Sequence, residues 1–188
     1  MPKITESRVL ILATDGFEKS ELFVPLQKLK LAGAIVDVAA PEKRAIKSWD
    51  NGDWGETVDA DLAAADADLS EYDALVLPGG QINPDILRVD TDAMAIVKTF
   101  LKSGKVVAAI CHGPWLLAEA GAVEGRDMTS YHSIKTDLVN AGANWRDAEV
   151  VADGGIVTSR SPKDLDAFVA KIIEEIEEGR HEERRLAA

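Results

Sequence analysis

The chain carries one cysteine, Cys111, and the residues around it make it the first candidate for chemistry. It stands in the run Ala109-Ile110-Cys111-His112-Gly113-Pro114. The apolar stretch 105–110 before it reads as a buried strand. Residues 114–120 after it read as a helix, because proline is tolerated in a first helical turn. A strand-to-helix turn of this kind is a nucleophile elbow, sharp and strained, and crowded two residues to either side. Small residues are needed there, and Ala109 and Gly113 supply them. The N-terminus of the following helix favours a thiolate. A buried, inert cysteine is the competing explanation. It suits a cysteine inside the strand better than one just past it, so Cys111 is read as a reactive thiol.

Three further features accompany it. Gly79-Gly80, after the strand at 74–77, is a turn whose backbone N–H groups approach whatever binds there. With the amide of His112, Gly80 makes a candidate oxyanion hole. Glu18, in the turn after the first strand, and Glu21, one helical turn further, are carboxyls that could hydrogen-bond the sulfur. Such a partner would be protonated, its pKa raised by burial and a nearby anion. Against that stands the plainer reading of both as first-turn acids complementing a helix dipole. His112 neighbours the cysteine, but adjacent residues at a tight elbow usually point apart. It needs an orienting carboxylate from elsewhere.

These residues must be positioned by the elements between them. Residues 8–13 read as a strand and 18–32 as a helix, with Pro25 near a turn or kink and Gly33 at its end. Strands are expected at 35–40, 74–77, 105–110, 149–152 and 156–159, and helices at 90–103 and 114–120. The stretch 41–71 is less regular, with an exposed turn or small hairpin at 49–54 whose tryptophans serve the loop's own packing, in preference to a subunit contact. Ser161-Pro162 opens a last helix with the stripe Leu165, Phe168, Val169, Ile172, Ile173 and Ile176. The charged tail from Gly179 is expected to fray. Strands alternating with helices imply a mostly parallel sheet covered on both faces, with sites at the carboxyl ends of its strands. The turn at 15–18, Gly79-Gly80 and Cys111-His112 all fall on that edge.

Composition narrows the partners. The chain has 188 residues, 46% of them hydrophobic, which suits a single domain with a full core. There are 33 acidic against 21 basic residues, a net charge of -12. That balance argues against nucleic-acid backbones as partners. No apolar run approaches membrane-spanning length, no signal peptide is evident, and the protein is read as cytoplasmic. One thiol excludes an intrachain disulfide, and the scattered histidines His112, His132 and His181 give no metal-binding spacing. No metal or cofactor is expected.

Several segments together resemble the ThiJ/PfpI superfamily, most closely its PfpI-like intracellular branch. They are Asp15-Gly16-Phe17-Glu18 with Glu21-Leu22, residues 72–80, residues 109–114, residues 139–143, residues 147–151, and Thr158-Ser159-Arg160. The resemblance runs from about residue 8 to about residue 176. It implies a flavodoxin-like α/β sandwich with a mostly parallel central sheet, related to class I glutamine amidotransferases. It implies a reactive cysteine at Cys111, a glutamate bonded to it at Glu18, and a histidine at His112. It also implies an acidic residue from a neighbouring subunit that orients the histidine. Asp85 is the best match, in a loop one residue longer than the usual pattern. The site would then straddle the interface of a homodimer or higher homo-oligomer. Trp115 stands where glutamine is frequent, and either reshapes the pocket or packs on the next helix. Ser161-Pro162-Lys163 replaces the His-x-Glu of the amidotransferases, so a glutaminase triad is missing.

The preferred function is a stress-protective enzyme, acting without a cofactor on reactive dicarbonyls or glycated adducts through Cys111. The alternatives are a cysteine peptidase using Cys111, His112 and Asp85, and a redox sensor or chaperone that works by oxidation of Cys111.

Overall fold

The computed structural model describes residues 2–182 and 186. In chain order its first elements are β1 (Arg8–Leu12), β2 (Phe17–Glu18), α1 (Lys19–Leu31), β3 (Ile35–Ala40), β4 (Ala45–Asp50), β5 (Asp53–Asp59) and β6 (Leu62–Ala63). Next come β7 (Ala74–Leu77), α2 (Ile82–Leu87), α3 (Thr91–Lys102), β8 (Val106–Ile110), α4 (Pro114–Glu119) and β9 (Asp127–Met128). The last are α5 (Lys135–Asn140), β10 (Asn144–Trp145), β11 (Val150–Asp153), β12 (Ile156–Ser159) and α6 (Leu165–Glu178).

Seven strands form the central sheet in the order β11-β12-β8-β7-β1-β3-β6. Every neighbouring pair is parallel except β11 with β12. The inner strands β7 and β8 are apolar throughout because both faces are covered. Alternate side chains divide between two layers. Leu10, Leu12, Leu75, Leu77, Val107 and Ala109 pack with Phe100 and Leu116 on one face. Val9, Ile11, Val76, Ala108 and Ile110 pack with Leu22, Leu29, Phe168 and Ile172 on the other. Phe100 and Phe168 are fully buried, and each contributes about 1.5–3 kcal/mol relative to an exposed side chain.

The order of the strands creates the site. From β1 the chain crosses to β3 on one side, and later returns to β7 on the other. The loops after β1 and β7 therefore part at the carboxyl edge, leaving a crevice, and the loop after β8 borders it. Asn83 ties these loops together from inside. Its Oδ1 accepts from the Thr14 N–H at 2.8 Å, and its amide donates to the carbonyls of Pro78 at 2.9 Å and Gly79 at 3.2 Å.

Several local features differ from the sequence reading. Pro25 lies inside α1, which continues to Leu31. The irregular stretch holds a full hairpin, β4 with β5, turning at Asn51 and Gly52, both at positive φ. Trp49 and Trp54 pack edge to face across it, with centroids 5.4 Å apart. Beyond α6 the described tail residues are docked: the His181 N–H donates to the Gly104 carbonyl at 3.0 Å, and Leu186 packs against the core. Residues 183–185 and 187–188 of the expected frayed tail lie outside the described residues. Among the described residues, no helix is long and apolar enough to cross a membrane.

Candidate active site

Cys111 sits at the elbow between β8 and α4 with φ of 63°, a left-handed conformation that costs a residue bearing a Cβ about 1–3 kcal/mol. The surroundings leave little choice. A Cβ at Gly113 would stand 2.6 Å from the Leu77 carbonyl and 2.9 Å from that of Ile110. The Cys111 N–H donates to the Ser159 carbonyl at 3.0 Å, and its own carbonyl accepts from the Tyr131 N–H at 2.9 Å. The strain is thus held by bonds on both sides of the residue.

Gly79 and Gly80 close over the sulfur. A Cβ at Gly79 would meet Glu21 Oε2 at 2.5 Å and the Cys111 Cβ at 2.6 Å. One at Gly80, where φ is +79°, would meet the Gly16 carbonyl at 2.4 Å. The backbone N–H groups of Gly80 and His112 donate to the sulfur. The two amides expected to form an oxyanion hole therefore converge on the nucleophile.

The glutamate beside the thiol is Glu21, which corrects the expectation for Glu18. Glu18 is the N-cap of α1: its Oε2 accepts from the Glu21 N–H at 2.8 Å and from the Ser20 hydroxyl at 2.6 Å. Glu21 is completely buried, its Oε2 accepts from the Gly79 N–H at 2.8 Å, and its carboxyl is electrostatically coupled to the Cys111 thiol. Burial, then the charge on Glu18, pushes its pKa up to about 8. At neutral pH it is mostly a neutral acid, able to donate to sulfur. Burial works against the thiolate that the helix N-terminus favours. Burial and then the negative form of Glu21 push the thiol up, against the two backbone amides, so the two groups titrate as a coupled pair. The following helix is only six residues long and does not offset this desolvation.

His112 does not point away from its neighbour. Its Nδ1 lies 3.2 Å from the Cys111 sulfur, and its Nε2 lies 3.1 Å from the Ser133 hydroxyl. The ring is stacked on Tyr131, centroids 5.0 Å apart, and meets the edge of Trp115 at 5.1 Å. Burial, then the neighbouring His132, pushes its pKa down to about 4, so the ring is neutral at physiological pH. Trp115 both packs and shapes the pocket: its Nε1 donates to Asp137 at 2.8 Å while its ring walls His112. Asp85 is exposed on α2, apart from the His112 nitrogens of its own chain, which face Cys111 and Ser133.

The site opens into a cavity of about 290 Å³ lined by Gly16, Trp49, Gly80, Gln81, Ile82, Cys111, His112 and Tyr131. Ser161, at the position of the missing amidotransferase histidine, lines a neighbouring cavity with Arg160 and Lys163. Sequence reasoning missed Asn83, Tyr131 and Ser133 as parts of the site. The only signal for Asn83 was its place in the loop after Gly80; the other two lie about twenty residues beyond Cys111.

The sequence profile of the DJ-1/PfpI family matches residues 7–175. A deglycase of Thermococcus kodakarensis is 48% identical over 166 residues, covering 88% of this chain and 97% of that protein. A putative cysteine protease of Bacillus subtilis, YraA, is 45% identical over 161 residues, covering 86% of this chain and 93% of that one. Among solved structures, Drosophila melanogaster DJ-1beta superposes with a TM-score of 0.82 at 29% identity, covering 92% of this chain and 95% of that one. A two-domain protein of Anabaena variabilis with DJ-1/ThiJ/PfpI-like and ferritin-like domains superposes with a TM-score of 0.86 at 35% identity. The match covers 91% of this chain but only 48% of that protein.

Proposed function

Because this chain belongs to the DJ-1/PfpI family, we propose that it is a cysteine enzyme acting on reactive dicarbonyls or on the adducts they form with amines. The observation that carries this reading is the buried Cys111 thiol coupled to the Glu21 carboxyl and facing His112 Nδ1 at 3.2 Å, in a cavity of about 290 Å³. That volume lies at the small end of ligand pockets. It suits a three-carbon dicarbonyl or the end of a modified side chain better than a length of peptide. Similarity to proteins named deglycases supports the same assignment.

In the proposed reaction the sulfur attacks the aldehyde carbon and the thiol proton passes through His112 to the carbonyl oxygen, giving a neutral hemithioacetal. The Gly80 and His112 amides hold that oxygen while charge develops on it. His112 then moves the proton from the former aldehyde carbon to the adjacent carbonyl carbon, while the hemithioacetal hydroxyl proton passes to that carbon's oxygen. The product is a thioester, which water cleaves to a hydroxy acid and the free thiol. With an amine adduct, the sulfur displaces the amine, which takes up the thiol proton and is recovered unmodified, and the same hemithioacetal goes on to the hydroxy acid. The expected homo-oligomer is part of the proposal. Ile82 and Ile86 are 36% and 42% exposed beside Asp85, an apolar surface through which a second copy could bring its Asp85 to this site.

The test is methylglyoxal consumption with product identification in the wild type, Cys111→Ala and His112→Ala. Catalytic formation of a hydroxy acid, lost in both variants, is expected. Consumption limited to one equivalent per chain, with no product, would mean the thiol merely traps the aldehyde.

A further inference from the structure

We infer that Trp49 is a specificity-determining residue: its indole walls the Cys111 cavity and selects 2-oxoaldehydes with an uncharged, apolar substituent over glyoxal and over anionic analogues. The inference rests on the reading of Cys111 as a nucleophile toward dicarbonyls, and it names the class among them.

The cavity lining divides between polar groups at the sulfur, the Gly80 and His112 amides, and the large apolar side chains Trp49, Ile82 and Tyr131. Gln81 adds an uncharged amide. Among the described residues that line the cavity, none is an acid, a lysine or an arginine. A carboxylate or phosphate on the substrate would lose its water there and find no cation in return, which disfavours it. A methyl or phenyl group would exchange water for apolar walls, which favours it. An Asp85 carboxylate brought by a second copy would repel anions and so act in the same direction.

The placement of Trp49 follows from strand pairing. Phe17 and Glu18 of β2 pair in parallel with Ser48 and Trp49 of β4. The ladder that holds Glu18 as the N-cap of α1 therefore also brings Trp49 to the site. Within the hairpin the register of β4 with β5 slips between Lys47 and Trp49. Such irregularities re-aim side chains and gather next to active sites. Gly55 leaves room for this one: a Cβ there would stand 2.6 Å from the Ser48 hydroxyl oxygen and 3.0 Å from the Asp50 Cβ. Trp54 supports the indole edge to face across the hairpin, with the planes 86° apart. Lys19 fastens the hairpin to the start of α1, through Asp50 at 3.1 Å and Glu56 at 2.7 Å. Trp49 is thus held by a second aromatic ring, on a strand tied to the helix that carries Glu21. It is a fixed wall, and its shape and polarity are imposed on whatever approaches the sulfur.

The test compares the wild type with Trp49→Phe, Trp49→Ala and Trp49→Gln in the full chain. Cys111 is the chain's one cysteine, so its alkylation reports this cavity and needs no turnover. The first measurement is the rate with iodoacetamide, N-phenyliodoacetamide and iodoacetate, each divided by its rate with free cysteine. In every case sulfur displaces iodide and gives up its proton. On this scale the wild type should favour the phenyl reagent over iodoacetamide and disfavour iodoacetate. Trp49→Ala should lower the phenyl preference about 10-fold, the size of effect that an apolar contact in a pocket supplies. Trp49→Phe should keep most of it. Trp49→Gln, which removes the apolar wall but keeps a longer side chain in the ladder, should behave as Trp49→Ala does and serves if alanine loosens the hairpin. The second measurement is kcat/KM for phenylglyoxal, methylglyoxal and glyoxal. The advantage of the first two over glyoxal should fall about 10-fold in Trp49→Ala and persist in Trp49→Phe. An unchanged phenyl preference in Trp49→Ala and Trp49→Gln overturns the inference. So does an equal loss for every reagent, or iodoacetate reacting as readily as iodoacetamide in the wild type. If none of the aldehydes is turned over, the alkylation ratios still decide the role of Trp49 while the functional reading falls separately.

Discussion

Replacing Glu21 with glutamine should stabilise the protein at neutral and higher pH, although it removes a buried hydrogen-bonded residue from the active site. The carboxyl is wholly buried and its pKa is pushed up to about 8 from an ordinary value of 4.5, first by desolvation and then by Glu18. A raised carboxylate pKa means that the folded state holds the proton more tightly than the unfolded state. Stability then falls as pH rises from about 4.5 and levels off above about 8. Worked through that linkage, the loss between pH 5 and pH 8 is about 3–4 kcal/mol. Glutamine imitates the protonated acid: its carbonyl accepts from the Gly79 N–H, and its amide donates to the Cys111 sulfur. The Glu21→Gln protein should therefore match the wild type within about 1 kcal/mol at pH 5 and exceed it increasingly toward pH 8. His112, held down near 4, adds an opposite trend, raising stability as pH climbs through the range from about 4 to 6.5. That trend is common to both proteins and cancels in their difference. Urea denaturation at pH 5, 6, 7 and 8 measures it. At a slope of about 2 kcal/mol/M, the midpoints should separate by about 1.5 M or more at pH 8. Parallel curves for the two proteins, or a variant markedly less stable at pH 5, would refute the reasoning.

Other consequences follow from the same geometry. Turnover of methylglyoxal should hold level on the acid side down to about pH 5, because His112 stays neutral above about 4, and should fall above about pH 8 as Glu21 ionises; in Glu21→Gln the alkaline fall should move upward, which a pH–rate profile checks. Gly113→Ala would drive a Cβ to 2.6 Å from the Leu77 carbonyl, and thermal unfolding should register a loss of about 1–3 kcal/mol, as overpacking usually costs. Asp90→Ala removes the carboxylate that accepts from the Ala93 N–H at 2.8 Å at the start of α3; a loss of about 1 kcal/mol in denaturant unfolding is expected, with kcat unchanged.

What could be read along the chain, and what could not, divides by the range of the interactions. The apolar runs and the turns that end them mark β1, β3, β7, β8 and β12 because a buried parallel strand is apolar on both faces. The elbow at Cys111 was legible because its requirement for small neighbours is local, and Gly113 meets it. The choice between Glu18 and Glu21 was not local. Phe17 and Glu18 pair with Ser48 and Trp49, some thirty residues away, and this holds Glu18 extended as the N-cap of α1. The helix therefore begins at Lys19, and its first turn carries Glu21 inward to Gly79. The expectation that His112 points away failed for a related reason. Tyr131 and Ser133 hold its ring toward the sulfur, and their approach depends on a connection of about twenty residues with only short elements in it.

The protonation of the site bears on which chemistry it serves. Oxidation by peroxide proceeds through a thiolate, and here burial and Glu21 push the thiol up. Cys111 should accordingly react with hydrogen peroxide at pH 7 no faster than a free cysteine, and a rate a hundred times faster would favour a sensor. Peptide cleavage through an imidazolium and a tetrahedral oxyanion would separate two charges in a pocket where His112 is only 4% exposed and already resists protonation. Addition of S–H across an aldehyde creates no net charge: the proton that leaves sulfur arrives on oxygen, and His112 carries it only in passing. A buried thiol that keeps its proton at rest is a poor nucleophile toward most electrophiles. It is suited to one whose own oxygen takes up that proton as the carbon–sulfur bond forms. In the proposed reaction the same desolvation that disfavours the thiolate would favour carbonyl substrates, and Glu21, neutral at this pH, would steady the negative charge on sulfur for the moment between the two transfers.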